Sequence, residues 1–272
     1  MANSKEWKKT KTIYWSNELR DDFNEVGLKR PEVPENYRYI RKNPITHFLS
    51  AILYHLIAKP IFFITCTVHG IKFKDKWQLK ELNGKGAYIY SNHVSISDAW
   101  KFQAKGFLFK HKVYTLGYPD TLSMPIVASL ARGLGYLPVP SMKDVKNLVK
   151  LTEACLYYVD KGNYVLIYPE AHIWPYYTHI RNFSSGSFTY PAKGMQPIIP
   201  AVTIFRKPLI GKKPRQTVYF CKPIYPKAEL SFNENKMYLY KECLREMKEM
   251  SDAHEQMEYI KYIYVEKEPK ND

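Results

Sequence analysis

The sequence lacks paired cysteines, a secretory signal and internal repeats, and each absence narrows the class of protein. The cysteines are far apart and form no C-x-x-C pair, at Cys66, Cys155, Cys221 and Cys243. This spacing argues against a zinc site or a disulfide-exchange site and predicts reduced thiols. The first residues lead into polar and charged ones rather than an apolar core, so we expect no cleavable signal and predict a protein facing the cytoplasm.

Acidic residues are too few to balance the basic ones. The chain has 41 Lys and Arg against 26 Asp and Glu, a formal net charge of +15. This charge favours an anionic partner, which is nucleic acid, an acidic membrane face or a charged substrate. Because the basic residues are spread along the chain and no zinc-finger or RNA-binding motif is present, we do not expect nucleic acid. An anionic lipid surface accounts for the same charge.

An uninterrupted membrane-spanning run is also missing. Residues 45–68 are mostly apolar and aromatic, but His47, His55 and the pair Lys59-Pro60 interrupt them. A spanning helix needs about twenty apolar residues, and a Lys-Pro step in its middle is costly. We therefore predict two short helices that lie in or dip into one membrane leaflet. The alternative is an amphipathic helix pair that covers a sheet.

A histidine and a carboxylate stand close together just after a strand-like run. His93 and Asp98 are five positions apart and follow the run 87–91. A carboxylate on one ring nitrogen makes histidine a useful general base near neutral pH. The alternative is a helix cap at Ser95 or Ser97 with the acidic residue in the first turn.

A second strand-like run ends in a similar way. Residues 164–168 lead into Pro169-Glu170 about seventy positions after the histidine. In an open α/β sheet, ligands bind beyond the carboxyl ends of the strands. We therefore expect both polar ends to belong to one site.

Together these residues resemble the glycerolipid (lysophospholipid) acyltransferase family, and 1-acyl-glycerol-3-phosphate acyltransferases in particular. The segments that carry the resemblance are Asn92-His93-x-Ser95-x-x-Asp98, Gly135-Tyr136-Leu137-Pro138-Val139, Tyr168-Pro169-Glu170 and Pro197-Ile198-Ile199-Pro200-Ala201. The resemblance implies acyl transfer from acyl-CoA or acyl-carrier protein to a hydroxyl of a lysolipid, without a metal or other cofactor. It also implies that His93 is the base and that Asp98 orients its ring.

The resemblance further implies contacts with the substrates. The positions assigned to substrate binding are Ser95, Gly135, Tyr168, Glu170, His172 and Arg181. We expect Glu170 to position the acceptor, while anchoring a basic side chain or capping the next element are its alternatives. Backbone amides of the dyad loop or of the Gly135 turn are candidate donors to the oxyanion.

Two arginines of the family pattern are absent. Ser141 stands where the second block usually ends in arginine, and Ala171-His172-Ile173 replaces the usual Gly-Thr-Arg. Because arginine binds phosphate through two parallel hydrogen bonds, we predict that a lysolipid with a different or larger head group serves at least as well as lysophosphatidic acid. Candidate replacement charges are Lys143, Arg181 and Lys193, and the predicted acceptor pocket comprises His172, Trp174, Tyr176 and Tyr177. Ordinary packing around Pro175 is the alternative for the aromatic residues.

The order of the predicted elements indicates an α/β protein. Further strands are predicted at 113–116, 136–139, 198–205 and 217–225, a strand or hairpin at 70–85, and helices at 99–107, 124–134, 144–160 and 237–258. The alternation predicts a single acyltransferase domain with a central, largely parallel sheet flanked by helices, plus N-terminal membrane-associating helices. We divide the chain into a polar lead segment (1–43, irregular or partly helical), a membrane-associating helical segment (44–69), a catalytic domain (70–230) and a C-terminal helix with a charged tail (231–272).

These features predict a peripheral or monotopic enzyme on the cytoplasmic side of a membrane. Two other functions stay open. A metal-dependent hydrolase would use the ligand-type residues His93, Asp98, Glu170, His172 and His179, although the H-E-x-x-H spacing is absent. A non-catalytic, basic membrane-binding protein would use the charge and the aromatic residues but would leave the dyad unexplained.

Overall fold

The computed structural model of the chain describes residues 11–23, 31–104, 112–123, 125–209 and 211–266. Three sequence predictions fall partly or wholly outside these residues. They are the start of the polar lead segment, the end of the helix predicted at 99–107 and the charged tail at 267–272.

The described residues form nine strands. These are β1 (Thr12–Trp15), β2 (Lys72–Lys74), β3 (Ala87–Ser91), β4 (Val113–Gly117), β5 (Tyr136–Pro138), β6 (Tyr164–Ile167), β7 (Ile198–Arg206), β8 (Arg215–Phe220) and β9 (Lys261–Tyr264). Seven of them make the central sheet in the order β2-β8-β7-β3-β6-β4-β5, and every neighbouring pair is parallel except β7 and β8. The predicted largely parallel sheet is confirmed, and the region 70–85 contributes one strand rather than a hairpin.

Helices cover both faces of this sheet. They are α1 (Pro44–Ile52), α2 (Lys59–Val68), α3 (Lys101–Ala104), α4 (Pro125–Leu134), α5 (Val145–Asp160), α6 (Thr189–Gly194) and α7 (Phe232–Asp252). Side chains of β3 alternate between the faces, so Tyr88 and Tyr90 pack in the cluster that holds α5 and α7, while Ile89 packs in the cluster that holds Cys66 and Phe102. Burial on both faces explains why the central strands read as continuous apolar runs.

The apolar N-terminal segment is one unbroken helix, not the two separate short helices predicted. A π-helical section, Leu53–Ala58, joins α1 to α2, and the amide of Lys59 donates to the carbonyl of Tyr54. In a regular α-helix the ring of Pro60 would clash with the carbonyl four residues earlier, and the wider π turn relieves that clash. Within the described residues, Pro44–Val68 is the only helix long and apolar enough to cross a membrane.

One face of this helix packs on the catalytic domain from Ser50 to Cys66. Ser50, Tyr54, Ala58 and Cys66 are buried and recur at multiples of four residues, which places them in one stripe. The opposite face exposes large apolar side chains, namely Ile45, Phe48, Leu49, Leu56, Ile57, Ile61, Phe63, Ile64 and Val68. Exposed Ile126, Val127 and Leu130 of the contacting helix α4 extend this apolar surface.

A small second sheet joins the two ends of the described chain. β1 pairs in parallel with β9, so the lead segment contains a strand where an irregular or partly helical structure was predicted. Ile13, Phe23, Trp174 and Ile260 form a separate buried cluster with this sheet. The strand pairing brings residues that are about 250 positions apart into contact, and a local sequence pattern carries no signal for such pairing.

Candidate active site

The two residues of the predicted dyad contact each other at the carboxyl end of β3. His93 lies on the loop after the strand, and its Nδ1 is 3.0 Å from Oδ2 of Asp98. The imidazole is about one-sixth exposed and the carboxylate is fully buried. With Nδ1–H donating to the carboxylate, the other ring nitrogen, Nε2, carries the lone pair that a general base requires. The predicted contact is therefore present, and its catalytic role stays a prediction.

The capping interpretation of the same segment also holds. Ser95 caps the 3-10 helix Ile96–Ala99 by accepting from the amide of Ser97, and Oδ2 of Asp98 accepts from the amides of Val94 and Ser95 at 2.8 and 3.0 Å. One carboxylate thus orders the loop and orients the imidazole. The amide of His93 donates to Glu170, so these three amides hold the loop and are not free to bind an oxyanion.

A buried lysine completes the dyad and was missed from the sequence. Nζ of Lys101 contacts Oδ1 of Asp98, donates to Oγ1 of Thr203 at 2.6 Å and is wholly inaccessible to solvent. Burial raises the pKa of the Asp98 carboxyl, but the charge of Lys101 and the hydrogen bond from His93 outweigh it, so that pKa lies below its usual value. The acid followed three positions later by a base was the available signal, because such residues meet on a helical turn.

Tyr168 packs against one face of the His93 imidazole. Its ring stacks on that of His93 with centroids 4.3 Å apart, and its hydroxyl donates to the carbonyl of Asp98 at 2.6 Å. Asn92 exchanges two hydrogen bonds with the backbone of Thr203 on β7. Tyr168, assigned to substrate binding from the sequence, is thus placed to fix the dyad.

Glu170 and Arg181 form a buried ion pair next to the dyad loop. Oε2 of Glu170 accepts from the guanidinium at 2.9 Å and from the amide of His93 at 3.0 Å, and both charged side chains are fully inaccessible. The guanidinium also lies 4.7 Å from the ring centroid of Trp174. Direct contact of these two residues with a substrate, predicted from the sequence, does not fit their burial. The structure favours the alternative in which Glu170 anchors a basic side chain.

Two other predicted residues lie away from the dyad. Gly135 precedes β5 at the amino end of the sheet, where its positive φ of 96° suits glycine. Lys193 is in the last turn of α6, before the amino end of β7. Because the dyad follows the carboxyl end of β3, neither residue can reach it. Lys143 is exposed beyond the carboxyl end of β5, which is the edge strand.

The predicted aromatic acceptor pocket is mostly core. Trp174 is fully buried and donates through Nε1 to the carbonyl of Asp21 at 2.7 Å, while Tyr177 packs against its ring. Nδ1 of His172 lies 3.2 Å from Oδ2 of Asp22. The packing alternative therefore holds for Trp174 and Tyr177, because the β1–β9 sheet covers them.

A cavity of about 570 Å³ borders the dyad loop. It is lined by residues 68–71, Ser95, Ile96, Ser97, Trp100, Tyr176, Pro208, Leu209 and residues 213–216. Its lining combines the exposed apolar side chains of Ile96 and Leu209 with the cations Lys213 and Arg215. Neither cation was predicted from the sequence, since Lys213 in the β7–β8 connection and Arg215 at the start of β8 are about 120 residues beyond the dyad.

The metal-hydrolase alternative requires three ligands around one point. Nowhere in the described ranges do three His, Cys, Asp or Glu side chains meet in such a group. Both oxygens of Glu170 are already engaged by Arg181, at its amide and its guanidinium. The arrangement around His93 therefore fits proton transfer better than metal binding.

Comparison with known proteins identifies the family. No curated protein matches the chain significantly. A solved structure, the 1-acyl-sn-glycerophosphate (LPA) acyltransferase PlsC from Thermotoga maritima, is similar at 13% identity and a TM-score of 0.49, over 78% of this chain and 85% of that one. The family model described as Acyltransferase matches residues 66–204, just over half of the chain and including every residue of the dyad loop. The chain therefore belongs to the Acyltransferase family and is an acyltransferase.

Proposed function

We propose that this enzyme transfers a fatty acyl group from acyl-CoA or acyl-carrier protein to a hydroxyl of a lysophospholipid at a membrane surface. The observation that carries the proposal is that the loop holding the His93–Asp98 pair also lines, through residues 95–97, a cavity with both apolar and cationic lining residues. Such a cavity matches an amphiphile with a phosphate at one end and an acyl chain at the other.

In the proposed reaction His93 is a general base and then a general acid. Nε2 removes the proton of the acceptor hydroxyl as its oxygen forms a bond to the thioester carbonyl carbon. When the tetrahedral intermediate collapses, the carbon–sulfur bond breaks and the imidazolium returns the proton to the leaving thiolate. Asp98, held ionised by Lys101, stabilises the imidazolium between these steps. No covalent enzyme intermediate and no further cofactor are needed.

The acceptor phosphate is assigned to Lys213 and Arg215. These two residues line the cavity next to the dyad loop, whereas the earlier candidate Arg181 is buried in an ion pair. The exposed apolar side chains of Ile96 and Leu209 are assigned to the acyl chain. Because neither cation stands at the two family arginine positions, which are Ser141 and Ile173 here, we expect lysolipids with larger head groups to serve at least as well as lysophosphatidic acid.

The enzyme is proposed to lie on one leaflet, on the cytoplasmic side of the membrane. A buried stripe from Ser50 to Cys66 holds the helix Pro44–Val68 against the domain, which supports a helix that lies along one leaflet rather than across the bilayer. Its exposed apolar face, continued by α4, is suited to insertion at the depth of the head groups. Docking in this way would bring the cavity beside Val68 to the membrane surface.

A thioester-release assay tests the proposal. Purified full-length protein is mixed with acyl-CoA or acylated carrier protein, a panel of lysophospholipids, glycolipids and simple alcohols is offered, and free thiol is measured. We expect release that depends on a lysophospholipid, that is lost in His93→Ala and that persists in the surface control Lys241→Ala. Release with no acceptor preference, or undiminished in His93→Ala, would refute the proposed function.

The acceptor assignment has its own variants. Lys213→Gln and Arg215→Gln should each raise KM for phosphate-bearing acceptors several-fold, while KM for a neutral alcohol acceptor and the acyl donor stays unchanged. Lys241→Gln is the matched control, since its side chain is exposed on α7 and does not line the cavity. Equal effects on charged and neutral acceptors would show that these cations do not bind the phosphate.

A further inference from the structure

A second cavity, of about 350 Å³, lies at the opposite end of the central sheet from the dyad. Lys112 and Gly135 border it at the amino ends of β4 and β5, and Ser50 borders it from the N-terminal helix. The five residues of β4 separate this cavity from the carboxyl edge of the sheet by roughly 15 Å. The proposed acyl transfer makes no use of this cavity.

The lining of this cavity is strongly basic. Arg41, Lys112, Arg132 and Lys161 line it together with six tyrosines, and none of its lining residues is Asp or Glu. Among the described residues, these four cations form no ion pair with a carboxylate. The positive side chains therefore converge without local compensation, which creates a focused positive potential.

Arg132 and Arg41 lie close enough to repel each other. Burial and the charge of Arg132 both lower the pKa of Arg41. The guanidinium of Arg132 stacks 4.6 Å from the ring centroid of Tyr37 and donates to the carbonyl of Arg38 at 3.1 Å. These contacts fix one guanidinium but leave its charge unneutralised.

Lys112 is held at the inner end of the cavity. Its ammonium donates to Oγ of Ser50 at 3.0 Å and to the carbonyl of Gly133 at 2.6 Å. The rings of Tyr54 and Tyr114 lie 4.9 and 5.3 Å from its nitrogen. A cation in this position costs free energy that a bound anion would return.

We propose that this cavity binds a phosphate group. Two guanidinium groups and an ammonium are donors that phosphate oxygens prefer, and a dianion would neutralise the converging charges. Two sources share this chemistry: free phosphate and the head group of an anionic membrane lipid. The inference does not depend on which acceptor the enzyme acylates.

The surroundings of the cavity make both sources accessible. A larger groove of about 1010 Å³ adjoins it and shares Arg41 and Arg132 with it. Leu49 and Leu53 of the N-terminal helix line that groove, on the side where the helix exposes its apolar face. A lipid with its phosphate on the arginines would therefore have its chains against the helix.

Full-length protein carrying Arg41→Gln and Arg132→Gln tests the site. In the soluble arm, thermal unfolding is followed in inorganic phosphate and in chloride at equal ionic strength. In the membrane arm, flotation is measured with vesicles of phosphatidylcholine alone and with added phosphatidic acid. The control, Lys241→Gln with Lys248→Gln, removes the same two charges from exposed positions on α7. Arg41→Gln and Lys112→Gln as single variants replace the double variant if it does not fold.

We expect wild type and control to respond to phosphate in at least one arm and the cavity variants to need at least about tenfold more of it. A response to inorganic phosphate identifies free phosphate as a sufficient ligand, whereas a response only to phosphatidic acid vesicles identifies the lipid. No response in either arm overturns the proposal. Equal losses in cavity and control variants also overturn it, because they would report net charge alone.

Discussion

The two ends of the central sheet hold their charged residues in opposite ways. At the carboxyl end, Asp98 is shared by His93 and Lys101, and Glu170 is paired with Arg181. At the amino end, Arg41, Lys112, Arg132 and Lys161 surround a cavity whose lining includes no carboxylate. Paired and buried charges hold a fixed geometry, which proton transfer requires, whereas uncompensated cations raise the local concentration of anions. The same strands thus support a preorganised site at one end and an anion-attracting cavity at the other.

The largest effect that we expect is a loss of activity when His93, at the carboxyl end of the sheet, is replaced. His93→Ala should lower the rate of acyl transfer by about 10²–10⁴-fold, because the acceptor hydroxyl loses its base. Asp98→Ala should lose a similar amount, and the double variant should lose little more, since the two residues act as one unit. Initial rates of thiol release check this, with circular dichroism as the control for folding. Additive losses in the double variant would separate the two roles.

Removal of the buried lysine should have the next largest effect. Lys101→Met leaves the carboxylate of Asp98 with one cation fewer, so its pKa should rise and the acid limb of the kcat profile should move to higher pH. We expect kcat to fall by roughly 10–100-fold with a smaller change in KM. Thr203→Val, which removes only the hydroxyl that accepts from Lys101, is the matched milder variant.

A purely structural role for Lys101 predicts a different result. In that case Lys101→Met would lower the midpoint of unfolding while the folded fraction kept the wild-type pH profile. The pH profile therefore decides between positioning of Asp98 and simple support of the fold.

The ion pair between Glu170 and Arg181 distinguishes anchoring from substrate binding. Arg181→Met leaves a buried carboxylate unpaired and should lower the free energy of unfolding by about 3–5 kcal/mol, as measured by urea denaturation. Glu170→Gln keeps the shape and should cost less. If the Arg181→Met variant kept wild-type stability and had a raised KM for the acceptor, the direct substrate contact predicted from the sequence would be supported instead.

Features set by neighbouring residues could be predicted from the sequence, whereas features set by contacts between distant segments could not. The dyad was predictable because its residues are local, and the sheet was predictable because strands buried on both faces are continuous apolar runs. Lys213 and Arg215 were not, since their place beside the dyad loop depends on the order of strands across the sheet. Gly135 was placed at the wrong end for a related reason: it precedes a short edge strand, and the motif carries no information on which end faces the dyad.

The burial of charge had no sequence signal either. Arg181 looks like any surface cation in the sequence, and only the packing of Trp174 and the second sheet covers it. The spacing of Asp98 and Lys101 indicates a contact on one helical turn, but it does not indicate burial, because a lysine is rarely expected inside a protein. Which of several cations is paired, buried or free depends on contacts between distant segments.

The smallest expected effect is at the amino end of the sheet, where the stability of the fold should depend on pH through Lys112. Burial, reinforced by the charge of Arg41, lowers the pKa of Lys112 to about 7. The unfolded chain therefore binds more protons than the folded one between about pH 7 and the ordinary lysine pKa, and through this group stability increases as pH rises across that window. Lys112→Met should remove this dependence and exceed wild type in stability by a few kcal/mol at pH 6, with the difference vanishing near pH 10.5.

Urea denaturation at a series of pH values measures the difference. Lys161→Met, an exposed lysine of the same cavity, is the matched control and should follow wild type throughout. Added phosphate should narrow the gap at pH 6, because an anion beside the ammonium compensates the charge that burial penalises. A gap that is the same at every pH would assign the effect of Lys112→Met to packing. It would also show that Lys112 is not an uncompensated cation, and the two ends of the sheet would then differ less than described above.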